Sequence, residues 1–504
     1  MASRRLRVPA FLLLVYLVAL AVIWTRAVST RQHLVLATIA TSLVALLAVI
    51  VWFVTGSGLP RRTRVAGMFA LLSVVLAGVL LFRLDVTGDL RPVLRYRFAA
   101  DPSPVLEPEI EPDILRFIST AGDSPQFLGP RRDGSLRVRL DTDWNLHPPQ
   151  ELWRRQIGAG WGSFAAVGRV AICQEQRGDQ EALIAYTVDT GEIVWAYNYP
   201  ARYTSAIAGM GPRATPTIWG DTVWAMGSTG ILSAVELLTG KLRWSKNVID
   251  DQGGRLQEWG KSSSPLVYED LVIVTGGWGG PTLVAYDRMT GTLRWRADAG
   301  RPDYASPLLA TIAGREQIVI FNAASLSAHD PRTGDLLWTT PWPPGQPTVA
   351  QPLVIGDLVL ASSGYGRGAK LFAITRRGRR FEVTTLWESP RLKAKFAHFV
   401  KYEGFVYGLD DGVLTCIDPS TGERLWKGGR YGHGQLLISA GLLLIQAEDG
   451  SLVLVEATPD EHRELHRLPV LNGKTWNVPT LVGDVLLLRN DREAVALRLP
   501  RRTE

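Results

Sequence analysis

The hydrophobic pattern divides the chain in two. The first part carries three long apolar runs, Val8 to Trp24, Leu34 to Val54 and Val65 to Phe82, flanked by Arg7 and Arg26, Arg31 and Arg61, and Arg64 and Arg83. Each is about 17–21 residues, close to the length that takes an α-helix across a bilayer core. A cleaved leader would account for the first run alone, but two more follow it and no small-residue cleavage motif is obvious. The pattern predicts three transmembrane helices, about 8–25, 34–54 and 65–82, within a membrane anchor of residues 1–97. Further along, the apolar residues come in short β-rich runs separated by turn residues, which predict strands.

Those strands repeat. The pattern Asp/Glu-x-x-Thr-Gly-x-x-x-Trp recurs as Glu236–Thr239–Gly240 to Trp244, Asp287–Thr290–Gly291 to Trp295, Asp330–Thr333–Gly334 to Trp338, and Asp418–Thr421–Gly422 to Trp426. A further copy, Asp189–Thr190–Gly191 to Trp195, reads as having a turn one residue shorter. A strand with a small residue (Ala185, Ala234, Ala285, Ala328 or Cys416) precedes each. An acid before Thr-Gly can accept turn amides, and Gly takes the positive φ a tight hairpin demands. Self-similarity at about 40–50 residues marks a propeller or solenoid.

Degenerate copies complete the count. Leu371–Ala373 leads through Gly378 to Trp387, and Leu452–Glu456 leads to Leu465, read as standing in for Trp. The strand around Trp153 lacks a preceding half and Glu493–Leu497 lacks a following one, so the two would complete a single sheet. The markers are then residues 153, 195, 244, 295, 338, 387, 426 and 465. Innermost strands expected after Ser163, Thr215, Ser264, Ser306, Gln351, Ala397, Gln435 and Val478 give the same number. The expectation is an all-β, eight-bladed β-propeller of four-stranded antiparallel sheets over residues 125–500. Its last blade is closed by strands from both chain ends, which removes free sheet edges.

Charge refines the organisation. Residues 1–97 hold twelve arginines and two acidic residues, so the basic balance belongs to the anchor and the remainder is net acidic. That excludes the electrostatic footprint of a nucleic-acid binder. Arg4, Arg5 and Arg7 before the first run, with Arg61, Arg62 and Arg64 between the second and third, put the N-terminus in the cytoplasm and the propeller outside. In a bacterium with two membranes this means an inner-membrane protein with a periplasmic propeller. Residues 98–124, rich in Pro and Glu, read as an extended linker. Cys173 and Cys416 fall on different blades and lack metal-ligand spacing, so both read as buried small hydrophobes.

At its Thr-Gly-x-x-x-Trp copies the chain resembles the pyrroloquinoline quinone (PQQ)-like β-propeller repeat family. Members include quinoprotein alcohol and glucose dehydrogenases and a non-enzymatic outer-membrane assembly lipoprotein. Pro125–Gln126–Phe127–Leu128–Gly129–Pro130 resembles the Trp-Pro-Gln-Phe-Arg-Gly-Pro opening of many bacterial members, with Ser124 and Leu128 departing at the Trp and Arg. The resemblance implies one of two functions. The favoured one is a membrane-tethered binding or scaffold module with a protein partner on the propeller face. The alternative is a PQQ-dependent dehydrogenase oxidising an alcohol or sugar, with Ca²⁺ beside the cofactor.

Cations expected at the channel mouth are Arg213, Lys261, Arg430, His433 and Lys474, with Lys395 beside them. Trp476, Trp161, Trp259, Tyr304 and Tyr431 offer flat surfaces, and Glu175, Arg177, Trp278, Arg489 and Asp491 sit on facing turns. Arg213, Lys261, Arg430 and Lys474 are the candidates for a tricarboxylate. No catalytic triad, haem-attachment motif or metal-ligand set is found. Asp410–Asp411 and Glu448–Asp449, each before Gly, read as hairpin turns.

Overall fold

The computed structural model describes residues 7–25, 31–98, 106–110, 120, 122–205 and 207–502. The chain forms two compact units, residues 1–100 and 101–504. In the first, α1 (Arg7–Thr25), α2 (Arg31–Thr55) and α3 (Arg61–Leu81) are each long and apolar enough to cross a bilayer. The Tyr16 and Ser42 hydroxyls bond at 2.9 Å between α1 and α2. Gly67 lets α3 approach Phe53 of α2, where a Cβ would lie 2.7 Å from the ring. A hairpin absent from the sequence reading, β1 (Phe82–Val86) and β2 (Pro92–Tyr96), follows α3 directly. Its turn residue Asp89 pairs with Arg31 at the start of α2 at 3.3 Å.

The second unit is a propeller of eight blades, each of four antiparallel strands. We number blades by their innermost strands: Ala165–Val167 (blade 1), Thr217–Trp219, Leu266–Tyr268, Leu308–Ile312, Leu353–Ile355, Phe399–Tyr402, Gln435–Ser439 and Thr480–Val482 (blade 8). These are the innermost strands the sequence predicts. Blade 8 takes its outermost strand, β4 (Gln150–Gln156), from the other end of the propeller sequence, with Trp153 opposite Ala496. The apolar core lies between neighbouring blades, as where Trp224, Met226 and Leu232 of blade 2 meet Val272, Val274 and Tyr286 of blade 3.

The repeat works as a staple. Most of the Trp residues face a small residue on their own blade (among them Trp195 and Ala185, Trp244 and Ala234, Trp295 and Ala285, Trp426 and Cys416), and Trp387 faces Leu371. In five copies the indole N–H crosses to the next blade, whereas that of Trp295 is buried without a hydrogen-bond partner among the described residues. Trp153 donates to Val188 O at 2.8 Å, Trp195 to Leu237 O at 2.8 Å, Trp244 to Arg288 O at 3.0 Å, Trp387 to Pro419 O at 2.8 Å and Trp426 to Thr458 O at 2.9 Å. The ring lies flat on the next blade's Thr-Gly turn. A Cβ on Gly191, Gly240, Gly291 or Gly334 would come within 2.4–2.8 Å of the indole. Those glycines also hold φ between 67° and 78°, so conformation and contact both demand glycine.

Two copies differ from the sequence reading. The first turn is full length: Gly191 N bonds Thr187 O as Gly291 N bonds Asp287 O, so Thr187 stands at the acid's position. In blade 7 the Trp position belongs to His466, paired with Leu454; Leu465 is the extra residue of the β-bulge. His466 stacks on Trp144 (5.6 Å, 19°) because blade 8 has no continuous hairpin there and residues 141–147 fill the place. Trp338 also departs from the staple, bonding Gln317 of its own blade at 2.7 Å, because blade 5 has no Thr-Gly turn to receive it.

The segment before β4 closes the channel. Ser124 pairs with Ala166 of blade 1 and its hydroxyl donates to Leu481 O of blade 8. Pro125 O accepts from Ile218 N of blade 2. Arg132, 2% exposed, donates to Ser264 O and Pro265 O of blade 3, and its own carbonyl accepts from Gln351 of blade 5. Phe127 meets His398 of blade 6 edge to face, and β3 (Ser135–Leu136) adds a parallel strand to blade 7. Most of the expected 98–124 linker lies outside the described residues. Its described part is docked: Glu109 forms a two-point bond to Arg155 and accepts from Ile193 N of blade 1.

Candidate functional site: the aromatic mouth of the ring

Each blade's outermost strand connects to the next innermost strand at the end of the ring opposite the Thr-Gly turns. These connections bring one aromatic residue after another to the channel mouth: Trp161, Tyr203, Trp259, Tyr304, Phe396, His433 and Trp476. In the connection from blade 4 to blade 5 the aromatic residue, Trp342, is buried against Phe321 instead, and Tyr365, from a turn within blade 5, sits close to Tyr304 there. Six of the rings touch, in two groups. Trp161 and Trp476 lie 5.0 Å apart, Trp476 and Phe396 5.0 Å, Phe396 and His433 5.2 Å, and Trp259 stacks on Tyr304 at 4.9 Å. Such pairs are worth about 0.5–1.5 kcal/mol each beyond their buried area, so each group is held together by its own contacts.

Cations lie over these rings. Lys474 Nζ sits 4.1 Å from the Trp476 centroid and 4.9 Å from that of Trp161. Arg213 covers Tyr203 at 4.7 Å and Lys395 covers Tyr365 at 4.9 Å. Glu448 organises one side, accepting from Trp476 Nε1 at 2.8 Å and His433 N at 3.1 Å. It belongs to a turn, as read from the sequence, but its carboxylate points inward to the collar. Asp410 is likewise turn-adjacent but buried; the Lys393 and Lys427 ammonium groups, each 2.6 Å away, hold its carboxyl low against its burial.

The predicted site residues divide between the mouth and the wall. Arg213, His433, Lys474 and Trp476 lie at the mouth, with Trp161, Trp259, Tyr304 and Lys395. Lys261 is fully buried, giving its three protons to Thr275 O, Thr275 Oγ1 and Gly276 O, all at 2.7 Å; burial pulls it down to about 7. Glu175 and Arg177 are buried in the seam that closes the ring. Glu175 accepts from Gly158 N and Tyr186 Oη at 2.6 Å and from Arg177 Nε at 2.9 Å. Arg489 of blade 8 crosses the same seam to Gln174 O and Gly158 O. Arg430 is exposed at the end of its strand, near Asp411 O, and Tyr431 turns away to His462 and Glu464. Tyr203, Tyr365 and Phe396 escaped the sequence reading; their signal is an aromatic on a turn or connection at the mouth end.

A PQQ site of the family's kind needs oxygen ligands for Ca²⁺ and cations aimed at three carboxylates. Among the described residues no three His, Cys, Asp or Glu side chains gather where a metal ion could sit. The donors of Lys261 and Arg489 are taken up by backbone oxygens and the Thr275 hydroxyl. The residues present do not fit that calcium-bearing site.

The family model described as outer membrane protein assembly factor BamB matches residues 143–257 and 254–428. BamB of Burkholderia pseudomallei is 27% identical over 369 residues, covering 67% of this chain and 87% of that protein. The dehydrogenase subunit of a quinone alcohol dehydrogenase from Gluconacetobacter polyoxogenes is 24% identical over 259 residues, 45% of this chain and only 34% of its own. Among solved structures, BamB from Moraxella catarrhalis superposes with a TM-score of 0.52 at 17% identity, over 70% of this chain and 100% of that one. Quinohemoprotein alcohol dehydrogenase from Comamonas testosteroni gives 0.61 at 14% identity, over 79% and 83%. At such identities the structural likeness speaks for the fold alone.

Proposed function

From the premise that this chain belongs to the PQQ-like repeat family whose model carries the BamB description, we propose that it is a membrane-anchored propeller acting as a binding or scaffold module. Its recognition surface is the aromatic mouth, and its partner is a protein. The observation that carries this reading is the collar itself: rings from seven blade-to-blade connections, six of them packed in two groups, above a channel closed from the far end by residues 124–136. A closed channel leaves a shallow aromatic surface. Such surfaces suit protein recognition, where aromatic anchors dominate the binding energy. The alternative, a PQQ-dependent dehydrogenase, draws on the quinoprotein relative and on the grouping of Arg213, Lys474, Trp161 and Trp476, but finds no carboxylate set for Ca²⁺ among the described residues.

The basic residues around the apolar helices support a cytoplasmic N-terminus and an extracytoplasmic ring. A phosphatase fused after Gly122 is expected to be active; a silent fusion reverses the orientation. For the binding role, a photo-crosslinking amino acid at position 396 or 203 of the full chain, in its own membrane, is expected to trap one discrete protein. The adduct should disappear in a Trp476→Ala, Trp259→Ala background and be absent with the probe at Met289 on the opposite face. Adducts independent of the collar, or equally strong from position 289, would defeat the reading.

A further inference from the structure

Blade 5 breaks the repeat in a way the binding role does not use. Its third strand, Gly368–Arg377, and fourth, Arg380–Ser389, pair out to Arg377 and Arg380. In other blades the chain turns soon after the residue facing the innermost turn: Arg288 N bonds Asp270 O, as Ile374 N bonds Asp357 O here. Blade 5 continues through Thr375–Arg377, so its hairpin stands about 10 Å proud of the Thr-Gly face at 3.3 Å per residue. The tip reads Arg376–Arg377–Gly378–Arg379–Arg380, all exposed. Arg376 bonds Gly378 O and packs on Phe381; Arg377 has Glu382 at 3.7 Å, both largely exposed. Among the described residues Arg379 and Arg380 have no ion pair. A cluster of four like charges on a protruding turn costs self-repulsion and contributes nothing to the blade's core.

Three large side chains on the same face are also exposed: Trp219 (51%), Leu238 (41%) and Met289 (52%), the last two on Thr-Gly turns. The segment leading from the apolar helices meets the ring here as well. Glu109 is bound at the Thr-Gly turn of blade 1, and Asp123 accepts from Gly168 N in the turn after its innermost strand. We propose that this face, led by the Arg376–Arg380 hairpin, binds the anionic headgroups of a phospholipid bilayer, a contact separate from the three apolar helices. The phosphates would pair with the arginines while Trp219, Leu238 and Met289 enter the headgroup boundary, as interfacial apolar residues do. A soluble polyanion uses the charges but gives no reason for the apolar neighbours, and the ring as a whole is net acidic. The tether keeps lipid at high local concentration, so a modest charge cluster suffices.

The test is tryptic cleavage of the full chain in nanodiscs, read by mass spectrometry at the Arg376–Arg380 bonds, with exposed Arg202 at the opposite end of the ring as internal control. In discs of phosphatidylcholine mixed with phosphatidylglycerol, cleavage at the hairpin is expected to slow about tenfold relative to phosphatidylcholine alone. High salt should restore it, because the screening length shrinks to about 3 Å at 1 M. In R379Q/R380Q the remaining bonds should lose most of that protection. Equal cleavage rates in the two discs would overturn the proposal. So would protection in phosphatidylcholine discs by a soluble DNA duplex or acidic peptide, which would assign the hairpin to that partner class. Neither result bears on the collar, whose crosslinks are read separately.

Discussion

Gly291 illustrates how one residue carries both halves of the repeat: φ of 70° for the turn and a bare Cα against Trp244, where a Cβ would sit 2.8 Å from the ring. Gly291→Ala is expected to cost about 2–4 kcal/mol, from backbone strain plus a displaced indole. Gly356 has φ of 61° but nothing within 4 Å, so Gly356→Ala should cost only about 1 kcal/mol. Denaturant midpoints of the two variants measure the difference; equal losses would mean the indole contact contributes nothing. A second residue-scale expectation concerns acid. His398 is buried against Phe127, accepts from Gln351 N, and burial pushes it down to about 4. Its unfolded value is about 6.5, so the unfolded chain binds the proton first. Stability is therefore lost as pH falls from about 6.5 to 4, by about 3 kcal/mol, and is flat below that. His398→Gln should flatten this part of the pH–stability curve; an unchanged slope would place the acid sensitivity elsewhere.

At the scale of the element, the channel-closing segment makes the clearest prediction. The amides of Ala166, Ile218 and Ile438 donate to the carbonyls of Ser124, Pro125 and Gly134. Arg132→Ala removes the guanidinium bonds to blade 3, and these three amides should then exchange hydrogen faster by about tenfold or more, while amides inside the blades keep their protection. Uniform change, or none, would show the segment to be an incidental cover. Why some elements were legible in the sequence and this one was not is a matter of range. A Thr-Gly turn and its Trp lie within nine residues, so hairpin chemistry exposes them. Ser124 bonds Leu481, and no local pattern announces such a partner. Thr187 and His466 were misplaced by a residue or two because hydrogen-bond register, not residue type, decides which position carries the staple.

For the whole molecule, the ring's order and its closure by β4 were readable because two repeat series gave the same number. The site was readable only in part. Arg213, His433, Lys474 and Trp476 reach the mouth, whereas Lys261, on a connection of the same kind, and Glu175 and Arg177, at the end of a strand, point into the wall. Gly158 lets the backbone approach Glu175 so closely that a Cβ would lie 3.0 Å from the Glu175 Cβ, and that proximity, invisible in sequence, commits the carboxylate to the seam. In the proposed function the collar over its closed channel is a recognition surface rather than a cofactor well. The most direct measurement is an equilibrium titration of the purified full chain with PQQ and Ca²⁺, followed by quinone absorbance. The account predicts no saturable binding and no dye reduction with alcohols or sugars. Stoichiometric binding that is lost in Lys474→Ala or Arg213→Ala would contradict it.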